Sequence, residues 1–329
     1  MARVFVTGGT GVIGRALMAR LVERGDDVVG LARSDDAEAA LREAGCCEVA
    51  RGEVYDVDAM AAGMAGCAVA FNLAGVNTLC VSDPEPMRRA NVDGAVAAVR
   101  AAKRARLPRL VHTSSAATIG EEPGSIGTEW SPHRGWYLST YEQTKTEGER
   151  AALVAAREEE QDVVYVNPSS VQGPGRASGT GRFLLAALDG RLPVFVNTDV
   201  SLVDIGDCVE GHLLAAEHGL GGERYLLSGI RLTVAEALAL AADVAGVECH
   251  PRIVPRAVAT TAGTAVEYAF KLRGRKPPVC REMVRTLLHG HRYDGSRAER
   301  ELGLRYSDPR DTVRRTVEWA RAEGLLRNV

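Results

Sequence analysis

Tyr141-Glu142-Gln143-Thr144-Lys145 sets a phenol and an amine four residues apart. On a helix that spacing brings both side chains to one face. A phenol with a pKa near 10 exchanges protons poorly at neutral pH. An ammonium about 6 Å away, at an effective dielectric near 20, favours the phenolate by about 3 kcal/mol, or roughly 2 pKa units. Such a pair can trade a proton with an alcohol or a ketone near pH 7. The spacing is common by chance, so its meaning rests on its company. An apolar run at 109–113 ends in Thr113-Ser114-Ser115. A serine at the carboxyl end of a strand in an open α/β sheet faces the ligand crevice, although turn capping is a competing use of those hydroxyls.

The second companion is Thr7-Gly8-Gly9-Thr10-Gly11-Val12-Ile13-Gly14, between a strand-like and a helix-like segment. Gly8 permits the turn off the strand, Gly11 lets backbone approach a pyrophosphate, and Gly14 lets the helix pack on the sheet. Thr10, Val12 and Ile13 complete the turn and present the helix N-terminus to the phosphates. A nucleotide-triphosphate loop is excluded, because Arg15-Ala16 stands where Lys-Ser/Thr is required. After the second strand the chain reads Ala32-Arg33. A carboxylate there would accept the ribose 2′-hydroxyl of NAD, whereas a guanidinium favours a 2′-phosphate. NADP(H) is therefore the expected cofactor, with NAD(H) the alternative. Glu53 and Val54 are placed to meet the adenine, and Leu73-Ala74-Gly75 offers small residues beside a ribose or nicotinamide.

Positioning these groups takes strands at 3–7, 27–31, 67–73, 109–113 and 162–167, alternating with helices at 11–24, 34–44, 86–106 and 138–160. Buried strands separated by helices of this length imply βαβ crossovers and a parallel sheet. The expected fold is α/β, a Rossmann-type doubly wound parallel sheet, with a smaller, interleaved C-terminal substrate-binding portion. Residues 1–170 form the dinucleotide-binding domain, with 200–228 rejoining the sheet, and 171–329 form mainly the substrate portion. Beyond residue 167 the pattern loosens into helices at 182–189, 207–218, 234–245 and 311–323 and short strands at 194–196, 202–205 and 225–228.

Composition narrows the function. The 329 residues are 46% apolar and 25% charged, and 40 Lys+Arg against 43 Asp+Glu leave a net charge of −3. That balance argues against a nucleic-acid partner. No apolar run reaches the roughly 18 residues of a membrane span, and no leader pattern precedes the first strand, so a cytoplasmic protein without a membrane partner is expected. Seven scattered cysteines without C-x-x-C read as reduced thiols rather than a disulfide framework. His289/His291 is the only close histidine pair, and no metal site is expected.

The chain resembles the extended short-chain dehydrogenase/reductases of the NAD-dependent epimerase/dehydratase superfamily. The glycine motif, Asn72-Leu73-Ala74-Gly75, Asn91-Val92-Asp93-Gly94, His112-Thr113-Ser114-Ser115-Ala116, Tyr141…Lys145 and Val166-Asn167-Pro168-Ser169-Ser170 fall in family order. Asn167–Pro174, Thr180-Gly181-Arg182 and 207–214 are similar to the dihydroflavonol-4-reductase-like and hopanoid-associated sugar-epimerase-like group. The resemblance implies that Tyr141 is the general acid/base. It implies that Lys145 lowers the Tyr141 pKa and holds the nicotinamide ribose, and that Ser115 bonds the substrate oxygen. Asn91 falls at a cofactor contact, and Pro168 and Ser170 line the nicotinamide side. It also implies a homodimer through a four-helix interface made by 86–106 and 138–160.

Three functions follow. The first is NADP(H)-dependent reduction of a ketone or aldehyde, or oxidation of the alcohol. The alternative is a nucleotide-sugar epimerase or dehydratase that retains NAD. Against it stand Val200, where an Arg is usual, and Ala116-Ala117, which lacks a dehydratase's acidic pair. The third is a non-catalytic dinucleotide sensor, which the Ser/Tyr/Lys set disfavours. The expected partner is a small carbonyl or alcohol, contacted by Val76, Asn77, Thr78, Tyr137, Val171, Gln172, Arg182 and the 255–290 stretch. Residues 121–136 are long and rich in Gly, Pro and aromatics, as a lid or a surface loop would be.

Overall fold

The computed structural model describes residues 1–249 and 251–326; residues 327–329 of the expected C-terminal portion lie outside it. Its centre is a seven-stranded sheet built from β1 (Arg3–Thr7), β2 (Asp27–Ala32), β3 (Glu48–Arg51), β4 (Val69–Asn72), β5 (Leu110–Thr113), β6 (Val163–Pro168) and β10 (Arg224–Leu227). The order is β10-β6-β5-β4-β1-β2-β3 and every pairing is parallel. Strands buried on both faces explain their Val-rich runs: all six residues of β6 are buried. The order reverses between β1 and β4, which is where such sheets bind ligands.

The crossover helices are α1 (Val12–Glu23), α2 (Asp35–Glu43), α3 (Val57–Met64), α4 (Glu85–Arg88) continuing into α5 (Gly94–Arg104), and α6 (Thr140–Glu158). The C-terminal portion adds α7 (Thr180–Leu188), α8 (Ile205–His218), α9 (Val234–Ala245), α10 (Arg256–Lys271), α11 (Arg281–His289) and α12 (Pro309–Ala322). One core, around Val6, Leu17, Val164 and Leu213, joins the sheet to α1 and α8. The other, around Phe5, Met60, Val99 and Ala152, joins the opposite face to α3, α5 and α6. The result is a three-layer α/β/α sandwich of Rossmann type.

Three expectations need correction. Residues 225–228 do rejoin the main sheet, through β10. Residues 202–205 do not. Residues 202–204 belong to β9 (Asp199–Asp204), which lies between β7 (Ser170–Gln172) and β11 (Ile230–Thr233) in a separate three-stranded sheet, and Ile205 opens α8. The edge of β6 takes only one partner, and β10 occupies it. A third small sheet pairs β8 (Val194–Phe195) with β12 (Arg252–Ile253).

Helix 86–106 is not continuous, because a π-turn at Arg89–Asp93 joins α4 to α5. Nor does α5 carry surplus apolar surface. Ala95, Ala97, Ala98, Val99, Ala101 and Ala102 are all buried within the chain. Finally, two of the seven cysteines are not thiols: Cys80 and Cys280, 200 residues apart, form a disulfide with Cα atoms 5.7 Å apart. Sequence spacing cannot report such a pairing, because the fold alone brings the two segments together.

Candidate active site

The glycine turn is as crowded as its sequence demands. Gly8 has φ +69°, and a Cβ there would sit 2.7 Å from the Ala74 nitrogen; a Cβ on Gly14 would sit 2.1 Å from the Gly8 oxygen. The Gly11 N–H donates to that same oxygen at 2.9 Å. No side chain caps α1, so its first N–H groups stay available to an anion. Thr10 is exposed, and its carbonyl accepts from Arg15 Nε at 2.9 Å. Val12 and Ile13 pack on the core. This cradle fits a dinucleotide pyrophosphate, which the backbone of residues 8–14 would hold.

Behind the turn, Thr7 Oγ1 donates to Asn72 Oδ1 at 2.6 Å and accepts from the Ala74 N–H at 3.1 Å. These bonds tie Leu73-Ala74-Gly75, at the end of β4, to the end of β1. Asn91 fixes the next residue. Its Oδ1 accepts from the Val76 N–H at 2.8 Å, and its Nδ2 donates to the Val76 carbonyl at 2.9 Å and to Thr144 Oγ1 at 3.0 Å. A Cβ on Gly148 would stand 2.1 Å from the Asn91 oxygen, so only glycine lets α6 meet the π-turn this closely. Val54 lies against the start of α5, and Glu53 is half-buried beside it.

Tyr141, Lys145 and Ser115 meet in the same crevice. A Cβ added to Gly75 would lie 3.8 Å from Lys145 Nζ, which links the glycine turn to the α6 face. Ser139 caps α6, accepting from the Glu142 N–H at 3.2 Å. That cap sets the helix start so that residues 141 and 145 face the sheet. The Ser115 hydroxyl lies near enough to the Tyr141 phenol to favour its ionised form. It also accepts from the Ala117 N–H at 3.2 Å, so the capping and site uses coexist. Ser114 Oγ is buried without a hydrogen-bond partner.

The electrostatics differ from the sequence expectation. Burial pushes the Tyr141 phenol above its ordinary value, against the pull of Ser115 and of the Arg176 guanidinium. Lys145 Nζ donates to the Thr113 carbonyl at 2.8 Å, and burial pushes its pKa down to about 8. Burial, then the Lys145 charge, likewise pushes His112 down to about 3. It stays neutral, with Nδ1 3.0 Å from Asn72 Nδ2.

The remaining expected residues scatter. Pro168 ends β6; Ser170 Oγ is 2.8 Å from Thr180 Oγ1, and Gln172 Nε2 donates to Thr180 Oγ1 at 2.6 Å. Val171 is buried, while Asn77 and Thr78 are exposed. Tyr137 stacks edge-on against His133. Arg182 is exposed on α7 and Arg33 is exposed after β2; neither has a side-chain partner among the described residues. The guanidinium facing the phenol belongs instead to Arg176, whose Nε is buried without a hydrogen bond. It sits in a glycine-rich loop with no motif to mark it.

Residues 121–136 are not a free lid. The Gly127 N–H donates to the Arg292 carbonyl at 2.8 Å, the Asp294 N–H donates to the Gly127 carbonyl at 3.0 Å, and Glu129 Oε1 accepts from the Leu226 N–H at 2.9 Å. Arg134 pairs with Glu142 in a buried position. The segment is an anchored strap.

A family model described as the NAD dependent epimerase/dehydratase family matches residues 4–228. The chain belongs to that family. This family member is 32% identical over 332 residues to a protein of Synechocystis provisionally named dihydroflavonol 4-reductase, covering 98% of this chain and 96% of the relative. Its identity to sterol demethylase protein B of Methylococcus capsulatus is also 32%, covering 98% and 99%. The crystal structure of gox2253 superposes with a TM-score of 0.85 at 29% identity, covering 99% of this chain and 100% of that one. The sequence resemblance to extended short-chain dehydrogenase/reductases of the dihydroflavonol-4-reductase-like group therefore holds, and the chain is an enzyme of oxidoreductase type. Among the described residues, no helix is long and apolar enough to cross a membrane.

Proposed function

We propose that the chain is an NADP(H)-dependent oxidoreductase that interconverts a ketone or aldehyde with its alcohol. The observation that carries this reading is the shared crevice. There the Ser115 hydroxyl lies near the Tyr141 phenol, and Lys145 Nζ lies beside Gly75 next to the glycine turn. A bound nicotinamide supplies the two-electron donor or acceptor. The Ser115 hydroxyl holds the reacting oxygen in place. Tyr141 gives that oxygen a proton during reduction and recovers it during oxidation. A phenol raised by burial is fully protonated at neutral pH, which suits the reducing direction. Lys145 would hold the cofactor ribose. Its pKa of about 8 also lets it take up or release a proton near working pH.

Arg33 supports NADP(H) over NAD(H). It is an exposed guanidinium with no acidic partner, following the small, buried Ala32. Half-exposed Trp136 and Phe183 suit a substrate with an apolar body. The cinnamoyl-CoA reductase 1 of Arabidopsis thaliana, 31% identical over 246 residues, is named for reduction of such a molecule. A second reading, a nucleotide-sugar epimerase or dehydratase with retained NAD, is favoured by Arg176, a buried cation able to meet a phosphate beside Tyr141. Ala116-Ala117 offers no acidic pair for the dehydratase version. The homodimer rests on the family resemblance, and a monomer mass in light scattering would remove it.

The test is cofactor binding by wild type and Arg33→Ala, together with NADPH oxidation against a panel of carbonyl compounds. Arg33→Ala is expected to weaken NADP(H) about 10- to 100-fold and leave NAD(H) unchanged. Equal wild-type affinities would overturn the NADP(H) assignment. Tyr141→Phe is expected to cut turnover at least about 100-fold at unchanged cofactor affinity; retained turnover removes Tyr141 from the chemistry. NAD that stays with the purified protein would favour the second reading.

A further inference from the structure

Outside the crevice, three side chains from distant parts of the chain meet in the interior. Glu121 opens the strap, His289 ends α11, and His291 follows it. His291 Nδ1 lies 2.7 Å from Glu121 Oε1, and His289 Nε2 lies 3.3 Å from the same oxygen. One donor atom from each of the three falls within 4.8 Å of the others. The side chains of Glu121 and His289 are 1% and 2% exposed, and that of His291 is 25% exposed.

Two facts set this cluster apart from an ordinary hydrogen-bond hub. Glu121 Oε2 and His289 Nε2 are both buried without a well-formed hydrogen bond; the 3.3 Å approach of His289 is poorly aligned. No lysine or arginine side chain is ion-paired with the Glu121 carboxylate among the described residues. Arg134, which reaches the Glu121 backbone oxygen, spends its charge on Glu142. The interior therefore contains a carboxylate whose second oxygen has no partner, beside two imidazoles and the Tyr293 phenol, which lies 3.0 Å from His291 Nδ1; such an anion is costly to bury unless a cation completes it.

We propose that Glu121, His289 and His291 form a binding site for one divalent transition-metal ion, zinc above others. Two imidazole nitrogens and a carboxylate oxygen are a borderline donor set that suits zinc and cobalt(II), whereas calcium and magnesium take oxygen. Tetrahedral zinc with bonds of about 2.0–2.1 Å separates its ligand atoms by about 3.3 Å. The Glu121–His289 distance matches, and the Glu121–His291 distance opens by about 0.6 Å once the ion replaces the shared proton. That proton passes to solvent as the ion binds. The partial exposure of His291 provides the route in, and solvent takes the fourth position. The ion would clamp the strap to the segment after α11, joining residues 170 apart in sequence. It has no part in the proton transfer at Tyr141.

The experiment is calorimetric titration of the EDTA-treated, dialysed protein with zinc at pH 7.5, with cobalt(II) absorption as the second readout. One ion per chain should bind with a Kd on the order of 1 µM or tighter, and zinc should raise the unfolding temperature. The cobalt spectrum should be that of nitrogen and oxygen ligands, without thiolate charge transfer. His289→Gln, His291→Gln and Glu121→Gln should each weaken binding about 100-fold or more. Absence of binding to the wild type would overturn the proposal, whether or not a variant folds. A thiolate band, or affinity retained in both histidine variants, would place the ion elsewhere and overturn it equally.

Discussion

Replacing Lys145 with Met tests the electrostatics of the crevice without reference to turnover. Methionine nearly matches the lysine stem in volume and removes the charge. In the folded protein burial sets the Lys145 pKa at about 8, against an ordinary 10.5. That gap of about 2.5 units corresponds to about 3 kcal/mol. Below pH 8 the folded and unfolded states both carry the proton, and the full cost of the buried charge weighs on the wild type. Between pH 8 and 10.5 the native state has released the proton while the unfolded chain still holds it, so stability rises with pH. Above 10.5 both states are neutral and the cost is gone. Near pH 7, Lys145→Met relieves about 3 kcal/mol but leaves the Thr113 carbonyl, now 2.8 Å from Nζ, without its partner, a loss of about 1–3 kcal/mol. The two proteins should therefore be of similar stability there. By pH 10.5 the wild type should have gained about 3 kcal/mol over the variant. Equilibrium urea unfolding of both proteins from pH 7 to 10.5 measures this, and the raised thiols of Cys46 and Cys208 cancel in the difference. A difference constant to within about 1 kcal/mol across that range would refute the buried-amine account.

Gly14→Ala places a Cβ where the Gly8 oxygen lies only 2.1 Å away. It should cost at least about 2 kcal/mol of stability and weaken dinucleotide binding at least about 10-fold, read by denaturation and fluorescence titration; unaltered affinity would disconnect the turn from the cofactor. His112 stays neutral down to about pH 3 in the fold, whereas the unfolded chain protonates it near 6.5. Stability should thus fall as pH drops below 6.5, by up to about 1.4 kcal/mol per unit from this residue, and His112→Gln should flatten that limb of the acid-unfolding curve. The Cys80–Cys280 bond closes 200 residues, worth at most about 5 kcal/mol in the chain-entropy account. Reductant should lower the wild-type unfolding temperature and leave Cys80→Ser unmoved; equal shifts in both would remove the bond from the native protein.

β1, β2, β4, β5 and β6 were legible because strands buried on both faces leave unbroken Val/Leu runs, while the helices α1, α2, α5 and α6 keep a polar side; β3, none of whose residues is fully buried, and α3 were not. The break at Arg89–Asp93 was not legible. It exists because the Asn91 side chain turns to the Val76 backbone, a contact between segments that periodicity cannot register. Helices α10 and α11 escaped notice for a different reason. Apart from Gly263 and Glu267, α10 is exposed or half-buried, so its Thr- and Ala-rich run lacks the apolar stripe that marks a core helix. In the crevice, Gly8, Gly14, Ser115, Tyr141 and Lys145 were readable from residue type and order. The place of Arg176 beside the phenol, the Glu121–His289–His291 cluster and the Cys80–Cys280 pair were not, since each depends on which loops the finished fold brings together.

The place of β10 at the border of the main sheet has a consequence for synthesis and for engineering. Val163–Pro168 leaves the ribosome well before Arg224–Leu227, and until the later segment arrives the backbone of β6 is an open ladder of apolar residues, a template for any other chain. A fragment trimmed to the glycine turn and the segments carrying Ser115, Tyr141 and Lys145 would keep that ladder open permanently and should aggregate. The shortest portable cofactor module therefore extends through residue 227, with the intervening lobe retained or replaced by a linker that restores the pairing.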